Sequence, residues 1–147
     1  MQSTTSTVIE QTVEFTVPLL VPTVNHYKRP CRYIGRDGSL HLGFKLTKEA
    51  KAYRDAVAIF AQGRTVTPAT EAERKRVRYS VRMDVYLGPG QRLDSDNALK
   101  VGIDSLTWCG VINSDAYVHD SRAVVHKDER GNPDNPRTRY VVTRLEN

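Results

Sequence analysis

The sequence predicts an α+β fold, a mixed α/β arrangement in which a small sheet of about five to six strands carries two main helices. Two stretches space their apolar residues as helices do, while several others alternate apolar and polar residues as half-buried strands do. Turn-forming residues separate these stretches and give the order β-(ββ)-α-β-α-β-β. The 147 residues suit one domain. We expect a single domain over residues 12–147, preceded by a flexible polar tail over residues 1–11.

The first elements are a strand and a hairpin. Apolar residues alternate with polar ones over residues 13–17, and Pro18 ends this strand. An aspartate–glycine pair at residues 37–38 is a common turn signal between two strands. It predicts a hairpin made of roughly Arg32–Ile34 and Leu40–Leu42.

The first helix is expected directly after this hairpin. Thr47 is a suitable N-cap, and Gly63 is a natural stop. The polar composition of residues 63–75 indicates a linker. The apolar residues that follow helical spacing are Ala50, Tyr53, Val57 and Phe60.

The second half of the chain predicts three strands and one helix. Alternation over residues 79–87 gives the clearest strand, which a Gly-Pro-Gly run ends. A helix is expected from about residue 95 or 96 to Cys109. Two further strands are expected near Val118–Lys127 and Arg137–Leu145, with turn-forming residues between them. The buried face of the helix is marked by Leu99, Ile103 and Leu106.

The chain is basic, with a net charge of +5 and a pI near 9.4. Residues 28–54 hold eight basic and two acidic residues, and a second basic cluster covers residues 74–82. Such patches attract nucleic acid, although a solvated surface would have the same composition. No apolar run approaches the roughly 20 residues that span a bilayer, so we expect no membrane partner. Two cysteines without a CxxC spacing indicate a reducing cytoplasm.

Carboxylates gather where a strand, a short loop and a helix N-terminus are expected to meet. Asp94 and Asp96 lie at this point, where Ser95 or Asp96 alone would suffice as an N-cap. Two aspartates followed by Asn97 exceed the needs of a cap, and such oxygen ligands suit Mg²⁺ or Mn²⁺. Lys100 follows Asp96 by one helical turn. It is either a surface ion-pair partner or a cation that stabilises a phosphate transition state.

Two more aspartates follow along the chain. Asp104 repeats the four-residue spacing, and we favour for it a role as helix-face partner of Lys100 over that of a metal ligand. Asp115 comes after the helix in a turn, where an acid is normally just a turn residue. The helix and its return loop could nevertheless bring Asp115 back toward Asp94 and Asp96, which would complete a three-acid metal site.

The spacing of these residues resembles the signature of the RusA-type Holliday-junction resolvases, which are crossover junction endodeoxyribonucleases. A weaker likeness covers the N-terminal half, in the Pro22-x-x-Asn25 opening and residues 46–54, so the resemblance runs from about Val13 to Leu145. Ser114 is a departure, since some members carry a second aspartate there. The residues that carry the signature are Asp94-Ser95-Asp96-Asn97-x-x-Lys100, then Asp104-x-Leu106, then Asp115.

The resemblance implies a RusA-like endonuclease domain and assigns its site. Asp94, Asp96 and Asp115 would bind Mg²⁺, with Mn²⁺ as a substitute, and Lys100 would be the catalytic lysine. It further implies a homodimer that resolves four-way DNA junctions by paired symmetric nicks, in DNA recombination and repair. The DNA-binding residues expected around this site are Asn25, Tyr27, Lys28, Arg29, Arg32, Lys48, Lys51 and Arg92.

Two other functions remain open from the residues alone. The same nuclease chemistry would serve other branched DNA, such as replication forks or phage packaging intermediates. A non-catalytic DNA-binding protein would use the basic patches, and its aspartates would be structural. The small size and basic charge suit a phage or prophage protein in the cytoplasm of a bacterial host.

Overall fold

The structure, a computed structural model, describes residues 8–23 and 28–146 and confirms the α+β class. These ranges contain two α-helices and eight strands, more strands than the five to six expected, in one four-stranded and two two-stranded sheets. The elements are β1 Val8–Glu10, β2 Thr12–Val17, β3 Lys28–Ile34, β4 Leu40–Leu46, α1 Lys48–Ala61, β5 Arg64–Val66, β6 Val77–Tyr86, α2 Ser95–Trp108, β7 Val118–His126 and β8 Arg137–Glu146. Short 3₁₀ turns cover Glu71–Glu73 and Asp115–Tyr117.

The main sheet has the strand order β2-β8-β6-β7. β8 pairs antiparallel with both β2 and β6, whereas β6 and β7 are parallel neighbours. Parallel neighbours require a crossover connection, and α2 provides it. The β6–α2–β7 segment is therefore a β-α-β unit (hereafter the crossover unit).

Helix α2 packs closely on the sheet because Gly102 has no side chain. A Cβ atom at Gly102 would lie 2.4 Å from Met83 Sδ on β6 and 3.3 Å from Tyr140 Cε1 on β8. Leu99 and Ile103, expected on the buried face, are half-buried at its margin, because the helix turns smaller residues toward the strands. The residues that α2 buries are Ala98, Val101, Gly102, Ser105 and Leu106.

Helix α1 begins as the sequence predicts. Thr47 Oγ1 accepts a hydrogen bond from Ala50 N at 3.2 Å, which confirms the N-cap. At the other end of the expected apolar face, Ala61 is buried and Phe60 is partly exposed, so the assignment of Phe60 to that face is corrected. The helix is held to the sheet in part by Tyr53, whose hydroxyl forms a fully buried hydrogen bond with that of Tyr140. Burial raises the pKa of both tyrosines.

Two short strands were not visible in the sequence. Val8–Glu10, which the sequence placed in the tail, forms β1 and pairs in parallel with β5. β5 lies within residues 63–75, which were expected to be a linker. Three-residue strands are too short to show an alternating pattern, which explains both misses. Residues 1–7 of the expected tail lie outside the described residues, and the division at residue 12 stays a prediction.

The two faces of the main sheet differ. Odd-numbered residues of β6 are buried beneath the helices, whereas the opposite face is polar and includes Asp84, which is only 3% exposed. Asp84 lies 2.8 Å from His126 Nε2 and 3.2 Å from Arg82 Nε, and Arg139 Nη1 is 3.9 Å away. Among the described residues, no helix is long and apolar enough to cross a membrane.

Candidate active site

A fixed loop connects β6 to α2. The backbone nitrogen of Gln91 donates to Gly88 O at 3.2 Å, and Gly88 N donates to Gln91 Oε1 at 2.7 Å. Gly90 has a φ of +73°, a conformation that a glycine adopts without strain. Asn135 Nδ2 donates to Leu87 O at 3.3 Å, which ties this loop to the segment before β8. The start of α2 is thereby positioned relative to the sheet.

The N-cap position of α2 is Asp94 and not Ser95 or Asp96 as expected, because the helix already begins at Ser95, and the side chain of Asp94 does not cap the helix. The carbonyl oxygen of Asp94 accepts from Ala98 N at 3.1 Å, while the carboxylate makes no capping hydrogen bond and is exposed. Asp96, in the first turn, is exposed as well. A helix N-terminus also presents backbone N–H groups that favour anions. Both carboxylates are exposed at the N-terminal end of α2.

Lys100 and Asp104 continue along the exposed side of the same helix. Asp96, Lys100 and Asp104 are spaced by four residues, so they form one row on a helix surface. All three are exposed, whereas the residues on the sheet-facing side are buried. The packing of α2 therefore determines the direction of this row.

Hydrogen bonds in the turn after α2 hold the backbone around Asp115. Val111 N donates to Leu106 O at 3.0 Å, and Val111 is fully buried. Asn113 accepts from the Tyr79 hydroxyl and donates to Ala69 O, each at 2.7 Å. Ser114 Oγ then accepts from Ala116 N at 3.1 Å and caps the 3₁₀ turn that Asp115 begins. These bonds fix the backbone on both sides of the aspartate.

The crossover unit brings Lys100, Asp104 and Asp115 together around one hollow of about 320 Å³. Asp94 and Asp96 do not line this hollow, although they begin the same helix. Across the described part of the chain, no group of three His, Cys, Asp or Glu side chains is placed to hold a metal ion. The three-acid metal site stays a prediction. The hollow is lined by Lys100, Ile103, Asp104, Asp115, Val118 and Ser121.

The sequence interpretation of Asp104 as a helix-face partner of Lys100 stays a prediction, and the structure adds that Asp104 lines the same hollow as Asp115. One contribution to this hollow was missed from the sequence. Ser121 belongs to β7 and meets α2 only because β7 lies parallel beside β6. No local pattern around Ser121 could have indicated that.

The expected DNA-binding residues lie in three places. Those on β3 and on the first turns of α1 are exposed. Arg92 is exposed in the loop before α2, and together with Glu49 of α1 it lines a second hollow of about 470 Å³. Asn25 and Tyr27 lie outside the described residues. The exposed residues on β3 and α1 are Lys28, Arg29, Arg32, Lys48 and Lys51.

Two comparisons with known proteins found no match. No protein-family model matches the chain, and no curated protein matches it. The likeness to RusA-type resolvases therefore rests on the spacing of the residues themselves.

Proposed function

We propose that this chain is a Mg²⁺-dependent, structure-selective DNA endonuclease that nicks four-way junctions. The observation that supports the proposal is the convergence of Lys100 and Asp115, from a helix and from the turn beyond it, on one hollow. The helix that carries Lys100 begins with two exposed aspartates. A basic chain that gathers acids around a lysine suits the hydrolysis of a phosphodiester.

The proposed chemistry assigns a role to each side chain. Asp94, Asp96 and Asp115 offer the carboxylate oxygens that Mg²⁺ prefers, and Mn²⁺ takes the same ligands. When bound, the metal would neutralise charge on the scissile phosphate and lower the pKa of an attacking water. Lys100 would donate hydrogen bonds to the phosphate oxygens as negative charge develops. Asp104 would hold the ammonium group of Lys100 in position.

The proposed substrate predicts the oligomeric state of the protein. Resolving a four-way junction takes two symmetric nicks, and a two-fold homodimer would supply two sites related in the same way as the two cuts. The same reaction on other branched DNA, such as replication forks, is the second candidate. Such a role in DNA recombination and repair would place the protein in the cytoplasm of a bacterial cell.

Asp96→Asn tests the nuclease proposal. This substitution keeps the shape of the side chain and removes the charge that a metal requires. We expect nicking of a four-way junction in Mg²⁺ to fall by at least about 100-fold while junction binding is retained. Initial rates on four-way, Y-shaped and linear DNA, measured side by side, check this result and rank the substrates.

The matched control is Asp55→Asn, which neutralises an exposed aspartate on α1. It should nick as the wild-type protein does. A wild-type rate for Asp96→Asn would show that the metal-site assignment is wrong. That outcome would favour a DNA-binding protein whose aspartates are structural.

A further inference from the structure

The β3–β4 hairpin (hereafter the arm) meets the core at its base, where Leu46 is partly buried against it, and is otherwise mostly exposed. Its two strands form a separate two-stranded sheet, paired from Lys28 with Leu46 to Ile34 with Leu40. None of the seven residues in either strand is buried. Because paired residues lie on the same side of a sheet, the register defines two faces with different chemistry.

One face of the arm is apolar and uncovered. Leu42 is 78% exposed, Ile34 74%, Phe44 73% and Leu40 64%. The register places Ile34 opposite Leu40 and Pro30 opposite Phe44 on this face. Contiguous exposed apolar side chains of this size mark interaction sites in proteins. The alternating pattern of β4 would normally indicate a half-buried strand, so its exposure calls for a partner.

The other face of the arm (hereafter the basic face) has no exposed aliphatic side chains and carries Arg29 and Lys45 beside the stacked rings of Tyr33 and His41. Arg29 lies directly opposite Lys45, and like charges in that position repel each other. Among the described residues, no carboxylate forms an ion pair with either side chain.

Over both faces and the turn, residues 28–46 carry five basic residues and one acidic residue, an excess of four positive charges, and two of the basic residues, Lys28 and Arg32, lie on the apolar face. A polyanion seated along the basic face would relieve the repulsion between Arg29 and Lys45, so the charge favours nucleic acid as the partner.

We propose that the arm binds branched DNA, with its basic face on phosphates and its apolar face against unstacked bases at the branch point. A strand of seven residues is about 23 Å long, and a two-stranded ribbon fits the major groove. Apolar side chains such as Phe, Leu and Ile insert between base steps where stacking is disturbed. The basic face would then support binding to any DNA, and the apolar face would select branched DNA. This inference rests on the proposed function.

A second copy of the chain is a poorer occupant for the apolar face. Arg32 lies within that face, opposite Leu42 and between Pro30 and Ile34 along the strand. Packing two such faces together would take two guanidinium groups out of water without a partner. At a branch point of DNA, the same group would find hydrogen-bond acceptors on the unstacked bases and on the phosphates that flank them.

The test compares binding to two DNAs of equal length and base composition. Dissociation constants for a four-way junction and a linear duplex are measured in EDTA, where no cleavage occurs. For the double variant Leu42→Ser and Phe44→Ser we expect junction affinity to fall about tenfold while duplex affinity changes by less than about twofold. A 2-aminopurine at the branch point should brighten with the wild-type protein and not with this variant.

Two further variants separate the faces. The control Ile59→Ser removes an apolar side chain that is 68% exposed on α1, outside the arm. It should leave both affinities unchanged. The double variant Arg29→Ala and Lys45→Ala should weaken binding to both DNAs and reduce the slope of log affinity against log salt by about two. Thermal melting of each variant checks that the fold is intact.

Three outcomes would overturn the inference. The first is a Leu42→Ser and Phe44→Ser variant that binds the junction as tightly as the wild type does. The second is a wild-type protein that does not prefer the junction to the duplex. The third is a wild-type dimer that becomes a monomer in sedimentation velocity when Leu42 and Phe44 are replaced. The last outcome would assign the apolar face to a second copy. Because the binding assay contains no metal, its result is independent of whether Asp96→Asn abolishes nicking, and the two proposals fail separately.

Discussion

The crossover unit and the arm are anchored in opposite ways. Helix α2 buries five residues against the sheet, and close contact at Gly102 leaves it little room to shift. The arm buries none of its strand residues. Chemistry that depends on the positions of a few side chains requires a rigid support, whereas contact with a large partner requires exposed surface. The two regions therefore suit catalysis and recognition respectively.

A matched pair of leucines gives the largest test of this contrast. Leu106 on α2 is fully buried, and Leu42 on the arm is almost fully exposed. We expect Leu106→Ala to lower the free energy of unfolding by about 2–5 kcal/mol, because it leaves a cavity in the core. Leu42→Ala should change it by less than about 0.5 kcal/mol.

Urea unfolding of both leucine variants checks the prediction, with the m-value compared to confirm that each unfolds as the wild type does. Similar losses of stability in the two variants would show that the arm is packed against the rest of the chain. The contrast between the two regions would then fail.

The second test locates the chemistry within the crossover unit. Asp115 and Asp104 line the same hollow, but only Asp115 is assigned to the metal. We expect Asp115→Asn to slow junction nicking by about 100-fold, which corresponds to about 2.7 kcal/mol. Asp104→Asn should slow it by about tenfold, as expected for a residue that positions another.

Single-turnover nicking at saturating Mg²⁺ measures both effects, and a Mg²⁺ titration shows which variant has lost metal affinity. If the two variants lose equal activity and both require more Mg²⁺, Asp104 is a ligand too. The division of roles between the two acids would then be corrected.

Much of the fold could be predicted because its main elements are long. β6, α1 and α2 repeat their apolar spacing over enough residues for the period to be clear. β1 and β5 were missed because three residues cannot show a period. The arm was placed correctly by its turn, but its strands were predicted too short and its apolar face was not anticipated. Sequence patterning distinguishes the sides of a strand, not whether a partner covers one of them.

The candidate site was only partly predictable. Asp94 and Asp96 were correctly located at the start of a helix, since loop and capping signals are local. The approach of Asp115 to Lys100 depends on β7 lying parallel beside β6, and pairing between distant strands leaves no local trace. From the residues alone Asp115 was either a turn residue or a third acid brought back by the return loop, and the family resemblance favoured the second interpretation.

The smallest test concerns the polar face of the sheet, which is less buried than the helix-covered face but carries ion pairs and hydrogen bonds around the buried Asp84. Burial alone would raise the pKa of Asp84. Hydrogen bonds from Arg82 and His126, together with the charge of Arg82, outweigh burial and hold the pKa of Asp84 below its ordinary value of 3.8. Asp84→Asn should therefore lower the free energy of unfolding at neutral pH by about 1–2 kcal/mol.

The pH dependence of this loss follows from the direction of the pKa shift. A carboxyl group whose pKa is lower in the folded state stabilises the fold above its unfolded pKa, and that stabilisation is lost as the pH falls through the folded pKa. The difference between wild type and Asp84→Asn should shrink as the pH falls below the unfolded pKa of about 4 and through the lower folded pKa, as urea unfolding at several pH values would show. Asp120→Asn, at an exposed site on β7, is the control and should change little. A difference that stayed constant with pH would mean that the replacement of one carboxyl oxygen by an amide NH₂ group, which cannot accept hydrogen bonds from Arg82 and His126, causes the loss, and not the charge of the carboxylate.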